Sequence, residues 1–213
     1  MGCPGAGRRS SRAPGLVRAR ESGAVAVEFA LIVPVLLLMV IGMLEFSLVM
    51  RDWLAVASAA SAGGRIAVTG AASGDGCPTT VCTPTFAQAA VDAIQTAGNV
   101  MPTENIQEIW VYKANLAGFA GSAASQAAST CTSNCVRFTW SAGAKKFVAQ
   151  PGGTWDSTTI NACLNATDSL GIYINAAHPM VTKMFGLTFP IRENAVLKFE
   201  PQPWGTCAPG SHA

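Results

Sequence analysis

The run from Gly23 to Met50 limits what this chain can become. It reads Gly23-Ala24-Val25-Ala26-Val27-Glu28-Phe29-Ala30-Leu31-Ile32-Val33-Pro34, then continues apolar to Met50, and no charge stands between Phe29 and Leu44. As a helix rising ~1.5 Å per residue, Ala24–Met50 is roughly 40 Å long, enough for a bilayer core of ~30 Å. A single membrane-spanning helix accounts for the run but not for Glu28. A carboxylate costs about 2.5–3.5 kcal/mol at the bilayer centre, less near an interface, and usually marks a functional position.

Charge gives the run a direction. Arg8, Arg9, Arg12, Arg18 and Arg20 precede it against Glu21 alone, while Arg51 and Asp52 cancel just after it. By the positive-inside bias the N-terminus stays cytoplasmic and the rest is exported. A net charge of +2 over 213 residues gives no footprint for a nucleic-acid partner. Arg8-Arg9 is a poor twin-arginine signal, because Ala13-Pro14-Gly15 is not an apolar h-region. Signal-peptidase cleavage at Ala55-Val56-Ala57 is disfavoured too, because the apolar run is too long and Arg51-Asp52-Trp53 intervene.

Upstream of Glu28, an arginine-bearing leader ends at Gly23, and four small or apolar residues separate the two. Gly23-Ala-Val-Ala-Val-Glu28-Phe29 resembles a type IV prepilin processing site of the Tad (Flp) branch: glycine, four residues, glutamate, aromatic. Ala30-Leu31-Ile32-Val33-Pro34, Leu44-Glu45-Phe46 and Gly63-Gly64-Arg65 are similar to the TadE/TadG pseudopilins. These motifs cover about the first third of the chain. The resemblance implies a structural subunit of a Tad-type pilus or related secretion filament, not an enzyme, cut between Gly23 and Ala24 by a prepilin peptidase. It implies other pilins or pseudopilins and a membrane assembly platform as partners. A large region after the helix implies a minor pseudopilin. The alternative is an uncleaved single-pass anchor presenting an extracellular binding domain.

The cysteines agree with export. Cys3 lies in the leader, and the other six, Cys77, Cys82, Cys131, Cys135, Cys163 and Cys207, all follow the apolar run. An even number in an exported region reads as disulfides, with 15 possible pairings. Pro78 favours a local Cys77–Cys82 turn. Cys131 and Cys135 form a second local pair, or equally either one reaches Cys163 or Cys207. No metal site or cofactor is expected: the histidines are His178 and His212 alone, and paired Cys-x-x-Cys is missing.

Gly, Pro, Ser and Arg make Met1–Ser22 read as disordered. One helix is predicted from about Val25 to about Ala67, kinked or loosened at Pro34, with a small-residue second half open to close backbone approach. Phe86, Ala90, Val91, Ile94 and Ala97 predict a second helix over Phe86–Ala97, closed by Gly98-Asn99. Strands are predicted over Ile106–Leu116, Cys135–Trp140, Ser169–Ala176 and Asn194–Glu200. Gly118–Ser129 reads as a mobile loop, Ala144–Trp155 as irregular with Lys145-Lys146 in a solvated turn, and His178–Phe185 as one or two helical turns. The expectation is α+β: a long N-terminal transmembrane helix, then a small antiparallel-sheet head with one packed helix, a pilin-like arrangement. Its parts are a basic leader (1–23), a transmembrane and stalk helix (24–67) and an exported disulfide-containing head (68–213).

The sequence holds no catalytic constellation. Gly152-Gly153 has no P-loop lysine and no Gly-x-Ser-x-Gly elbow occurs. His178 reads as a hydrogen-bonded loop histidine. Trp110, Trp140 and Trp155 read as core, and Asn165-Ala-Thr167 as a chance glycosylation triplet.

Overall fold

The computed structural model describes residues 16–71, 83–97, 101–183 and 186–211. Helix α1 spans Leu16–Thr69 and α2 spans Thr85–Ala97. Five strands follow: β1 Ile106–Ala114, β2 Cys135–Ser141, β3 Lys146–Gln150, β4 Ser169–Pro179 and β5 Thr188–Lys198. They form one antiparallel sheet in the order β3-β2-β1-β4-β5. The chain is therefore α+β. It divides into two compact units, one ending at Phe46 and the other beginning at Ser47.

In the first unit α1 exposes its large apolar side chains, while Glu45 is buried. It contains the one helix among the described residues long and apolar enough to cross a membrane. Pro34 lies inside it and the helical assignment continues through that position. The helix starts nine residues before Val25, so Leu16–Ser22 is not the disordered stretch its composition predicts. Val17, Ala19 and Arg20 tolerate helix, and extending an existing helix needs no new nucleus.

The second unit is built on one face of the sheet. Ile106, Ile109 and Val111 of β1, Val136 and Phe138 of β2, Phe147 of β3 and Leu170, Ile172 and Ile174 of β4 are all buried there. The α2 residues Phe86, Ala87, Ala90, Val91 and Ile94 close over that face, as predicted. Trp155 sits at the centre, fully buried, with Phe86 edge-on at 5.1 Å and Phe199 at 6.1 Å. The end of α1 joins this core through Val56, Ala59, Ala60, Ala67 and Val68. Glycine makes the approach close. A Cβ on Gly63 would meet Ile94 Cγ1 at 2.5 Å, and one on Gly64 would meet Leu197 Cδ1 at 2.4 Å.

Several boundaries differ from the sequence-based expectation, each for a physical reason. Residues 146–150, read as irregular, are strand β3, so Lys146 is not in the turn; Lys145 is, with φ of 50°. The strand is short and at the sheet edge, where a lysine is a common guard against further pairing. Residues 178–179, read as helical, extend β4: His178 pairs with Phe189 and Pro179 with Thr188. Strand β5 begins at Thr188 rather than Asn194, and its Pro190 is tolerated because β5 is also an edge. A register shift between Ile106 and Glu108 breaks the simple alternation, putting Ile106 on the core face with Ile109 and Val111. The stretch Gly118–Ser129, read as mobile, is folded around Asn115. Its side chain donates to the carbonyls of Gly121 and Ala123 and accepts from the amides of Ala117 and Phe119. Cys77, Cys82 and the Gly98-Asn99 helix end lie outside the described residues.

Candidate functional site

Gly23, Ala24, Glu28 and Phe29 lie on successive turns of α1 and all are exposed. Ala24 and Glu28 are four residues apart and share a face; Gly23 and Glu28 are separated by ~7.5 Å along the axis and about 140° around it. The surroundings of Gly23 are open, and an added Cβ would meet no atom within 4 Å. Glycine in a helix interior costs roughly 0.5–1 kcal/mol relative to alanine. Packing inside the folded chain does not explain why it stands there. Glycine weakens the helix at the peptide that the sequence pattern marks for cutting.

Two of the cysteine pairs are resolved by the fold. Cys131 is bonded to Cys135, the first residue of β2, and Cys163 to Cys207. The second bond pins the C-terminal segment beside residues 160–168, where the Ala162 amide donates to the Cys207 carbonyl at 2.8 Å. The alternatives joining Cys131 or Cys135 to Cys163 or Cys207 do not occur.

Sequence reasoning missed a buried polar pair. Asp52, on α1 within the second unit, accepts from His178 Nδ1 of β4 through Oδ2 at 2.7 Å, and both residues are buried. Its other oxygen accepts from Arg51 Nε and Nη2 at 3.0 and 2.9 Å. His178 is thus a strand residue fixing α1 to the sheet, not a loop histidine. Asp52 looked like half of a cancelling flank charge because nothing in its local sequence marks burial. Removing Asp52 leaves the buried His178 Nδ1 without its partner, at about 1–3 kcal/mol, whereas removing His178 leaves Asp52 still held by Arg51.

The face of the sheet away from α2 carries a second row of polar and aromatic side chains. Trp110 and Tyr173 meet at 5.0 Å between ring centroids, and Trp110 Nε1 donates to Glu108 Oε2 at 3.0 Å. Tyr112 donates to Asn194 Oδ1 at 2.6 Å or to the Gly118 carbonyl at 2.9 Å. Its ring lies over Gly171, where a Cβ would stand 2.3 Å from Cζ. Burial pushes the Tyr112 phenol up to about 12, against the lowering effect of the Asn194 hydrogen bond. Burial also raises the Tyr173 phenol, which Arg192 pulls down and Glu108 pushes up. Among the described residues no group of three or more His, Cys, Asp or Glu side chains is placed to hold a metal ion.

No curated protein and no solved structure matches the chain. One family model does, over a span of about a fifth of the chain that begins at the glycine of the processing pattern and ends at Gly63-Gly64-Arg65. That family is described as TadE-like protein, and the stretch of this chain similar to it is residues 23–65.

Proposed function

We propose that the chain is a minor pseudopilin, a structural and assembly subunit of a Tad (Flp)-type pilus or related secretion filament. The similarity of residues 23–65 to the TadE-like family supports a link to Tad pilus systems, and α1 supplies one apolar helix suited to a single-pass anchor. In this reading residues 1–23 are a cytoplasmic leader, a prepilin peptidase cuts after Gly23, and the disulfide-bonded region beyond the helix is extracytoplasmic. Its partners are other pilins or pseudopilins, the peptidase and the membrane assembly platform. The observation that carries the reading is Gly23 itself. It stands in open space five residues before an exposed Glu28, so no contact within the fold calls for glycine there.

Cleavage creates an α-amine at Ala24, cationic near neutral pH given its reference pKa of ~8. In a filament a neighbouring subunit's Glu28 pairs with that amine, and the cation offsets part of the cost of a carboxylate in lipid. Two substitutions separate the steps. Gly23→Arg should leave full-length precursor in the membrane. Glu28→Ala should insert and be cut, yet fail to co-purify with other pilins. Wild-type co-purification of Glu28→Ala would reduce the glutamate to a tolerated interfacial charge.

The second reading is an uncleaved anchor presenting an extracellular binding domain. One observation favours it: α1 is helical on both sides of Gly23, and a peptidase must unwind that stretch first. Under it, Gly23→Arg leaves the size of the membrane-extracted protein unchanged.

A further inference from the structure

A cavity of about 500 Å³ opens on the sheet face away from α2. That is within the range of small-ligand clefts, ~300–1,000 Å³. Its floor is a cross-strand grid. Trp110 and Tyr173 are paired neighbours on β1 and β4, and the next row is Glu108, Asn175 and Arg192. Gln126, from the folded loop before β2, forms part of its wall. The pilus reading uses none of these residues.

Three observations define what fits. First, Trp110 is half-buried and offers aromatic surface, backed edge-on by the buried Tyr173, and its N–H is already held by Glu108, which fixes the indole. Electron-rich ring faces attract the polarised C–H bonds on the apolar side of a pyranose. Second, Gln126 Oε1 is buried with no hydrogen-bond partner among the described residues. An unmatched buried acceptor costs about 1–3 kcal/mol, which a ligand hydroxyl removes once the Gln126 side chain turns its amide into the cavity. Third, the lining carries both signs, Glu108 and Glu193 against Arg192, with the Asn175 amide between rows. A fully anionic ligand meets the carboxylates and a fully cationic one meets the guanidinium. A neutral ligand bearing donors and acceptors on one side and C–H on the other meets neither penalty. We infer that this cavity is a saccharide-binding site, with Trp110 as stacking platform and Gln126, Asn175 and Arg192 as hydroxyl partners.

The test uses the full chain in a detergent without a sugar headgroup. Cellobiose, maltose, lactose and N,N′-diacetylchitobiose are screened by saturation-transfer NMR, with tetralysine as the cationic control. At least one disaccharide should receive saturation from the protein. Trp110→Ala should weaken it at least about tenfold, and Gln126→Ala or Arg192→Ala about three- to tenfold. Arg192 is exposed, so its variant keeps the test valid if Trp110→Ala does not fold. No disaccharide binding at about 10 mM, where even a ~1 mM Kd saturates, overturns the proposal. So does affinity unchanged in both Trp110→Ala and Arg192→Ala, or binding of tetralysine alone.

Discussion

The two halves of α1 share one helix and little else. From Gly23 to Phe46 its large apolar side chains are outside: Phe29 is 67% exposed, Leu31 72% and Met43 70%. From Ser47 to Thr69 one face is packed, with Ala59 and Ala60 each 1% exposed and Ala67 fully buried, while Leu54 and Ile66 stay exposed on the other. The glycines repeat the contrast. Gly23 and Gly42 have open surroundings, whereas Gly63 and Gly64 are filled by Ile94 and Leu197. A helix satisfies its own backbone hydrogen bonds in either setting. Side-chain size then assigns the environment: bulky apolar residues suit lipid, and alanine and glycine suit a packed protein neighbour.

The sharpest way to break this contrast is to truncate a large side chain in each unit. Trp155→Ala should cost about 3–5 kcal/mol and lower the thermal transition of the Ser47–Ala213 unit by roughly 6–20 °C. Leu36→Ala, half-exposed in the first unit, should leave that transition where it is. Circular dichroism melts of the two variants measure the difference, and equal shifts would abolish the distinction.

The disulfides come next. Their sequence separations are 44 residues for Cys163–Cys207 and 4 for Cys131–Cys135. Loop-closure entropy then gives about 4 and about 2 kcal/mol respectively. Denaturant unfolding of the Cys163→Ser/Cys207→Ser and Cys131→Ser/Cys135→Ser double variants should rank in that order.

The glycine contrast predicts a smaller effect. Gly63→Val should destabilise by about 1–3 kcal/mol, since Ile94 and the Ala90 carbonyl already occupy the space. Gly42→Val should leave the same melt unchanged. A neutral Gly63→Val would mean that α1 and α2 have room to move apart.

The smallest effect is on the open sheet face. Because burial raises the Tyr112 phenol, its contribution is fully present below pH ~10. It should fall as pH rises through about 12, where the folded state also releases the proton. Tyr112→Phe should flatten this part of the alkaline stability curve.

Legibility in the sequence followed local information. The apolar run, α2 and the starts of β1, β2 and β4 carry their own periodicity, so they could be read directly. Strand β3 has a single fully buried residue, Phe147, and its alternation is too short to stand out. Pro190 spoke against β5, and only the edge position of that strand removes the objection. The Asp52–His178 pair joins residues 126 apart, and Trp110, Tyr173 and Gln126 come to line one cavity only through sheet register and a folded loop. The Gly23, Glu28 and Phe29 pattern was the opposite case: it lies within one seven-residue stretch of a single helix, so no tertiary contact was needed to read it.

The reading of Gly23 as a processing site meets its most direct test at the N-terminus. The protein is extracted from membranes of a strain with an active prepilin peptidase and its N-terminus is sequenced. A mature chain beginning at Ala24 is the predicted result. Recovery of the Met1–Ser22 leader on the mature protein would contradict processing and leave an uncleaved anchor in its place.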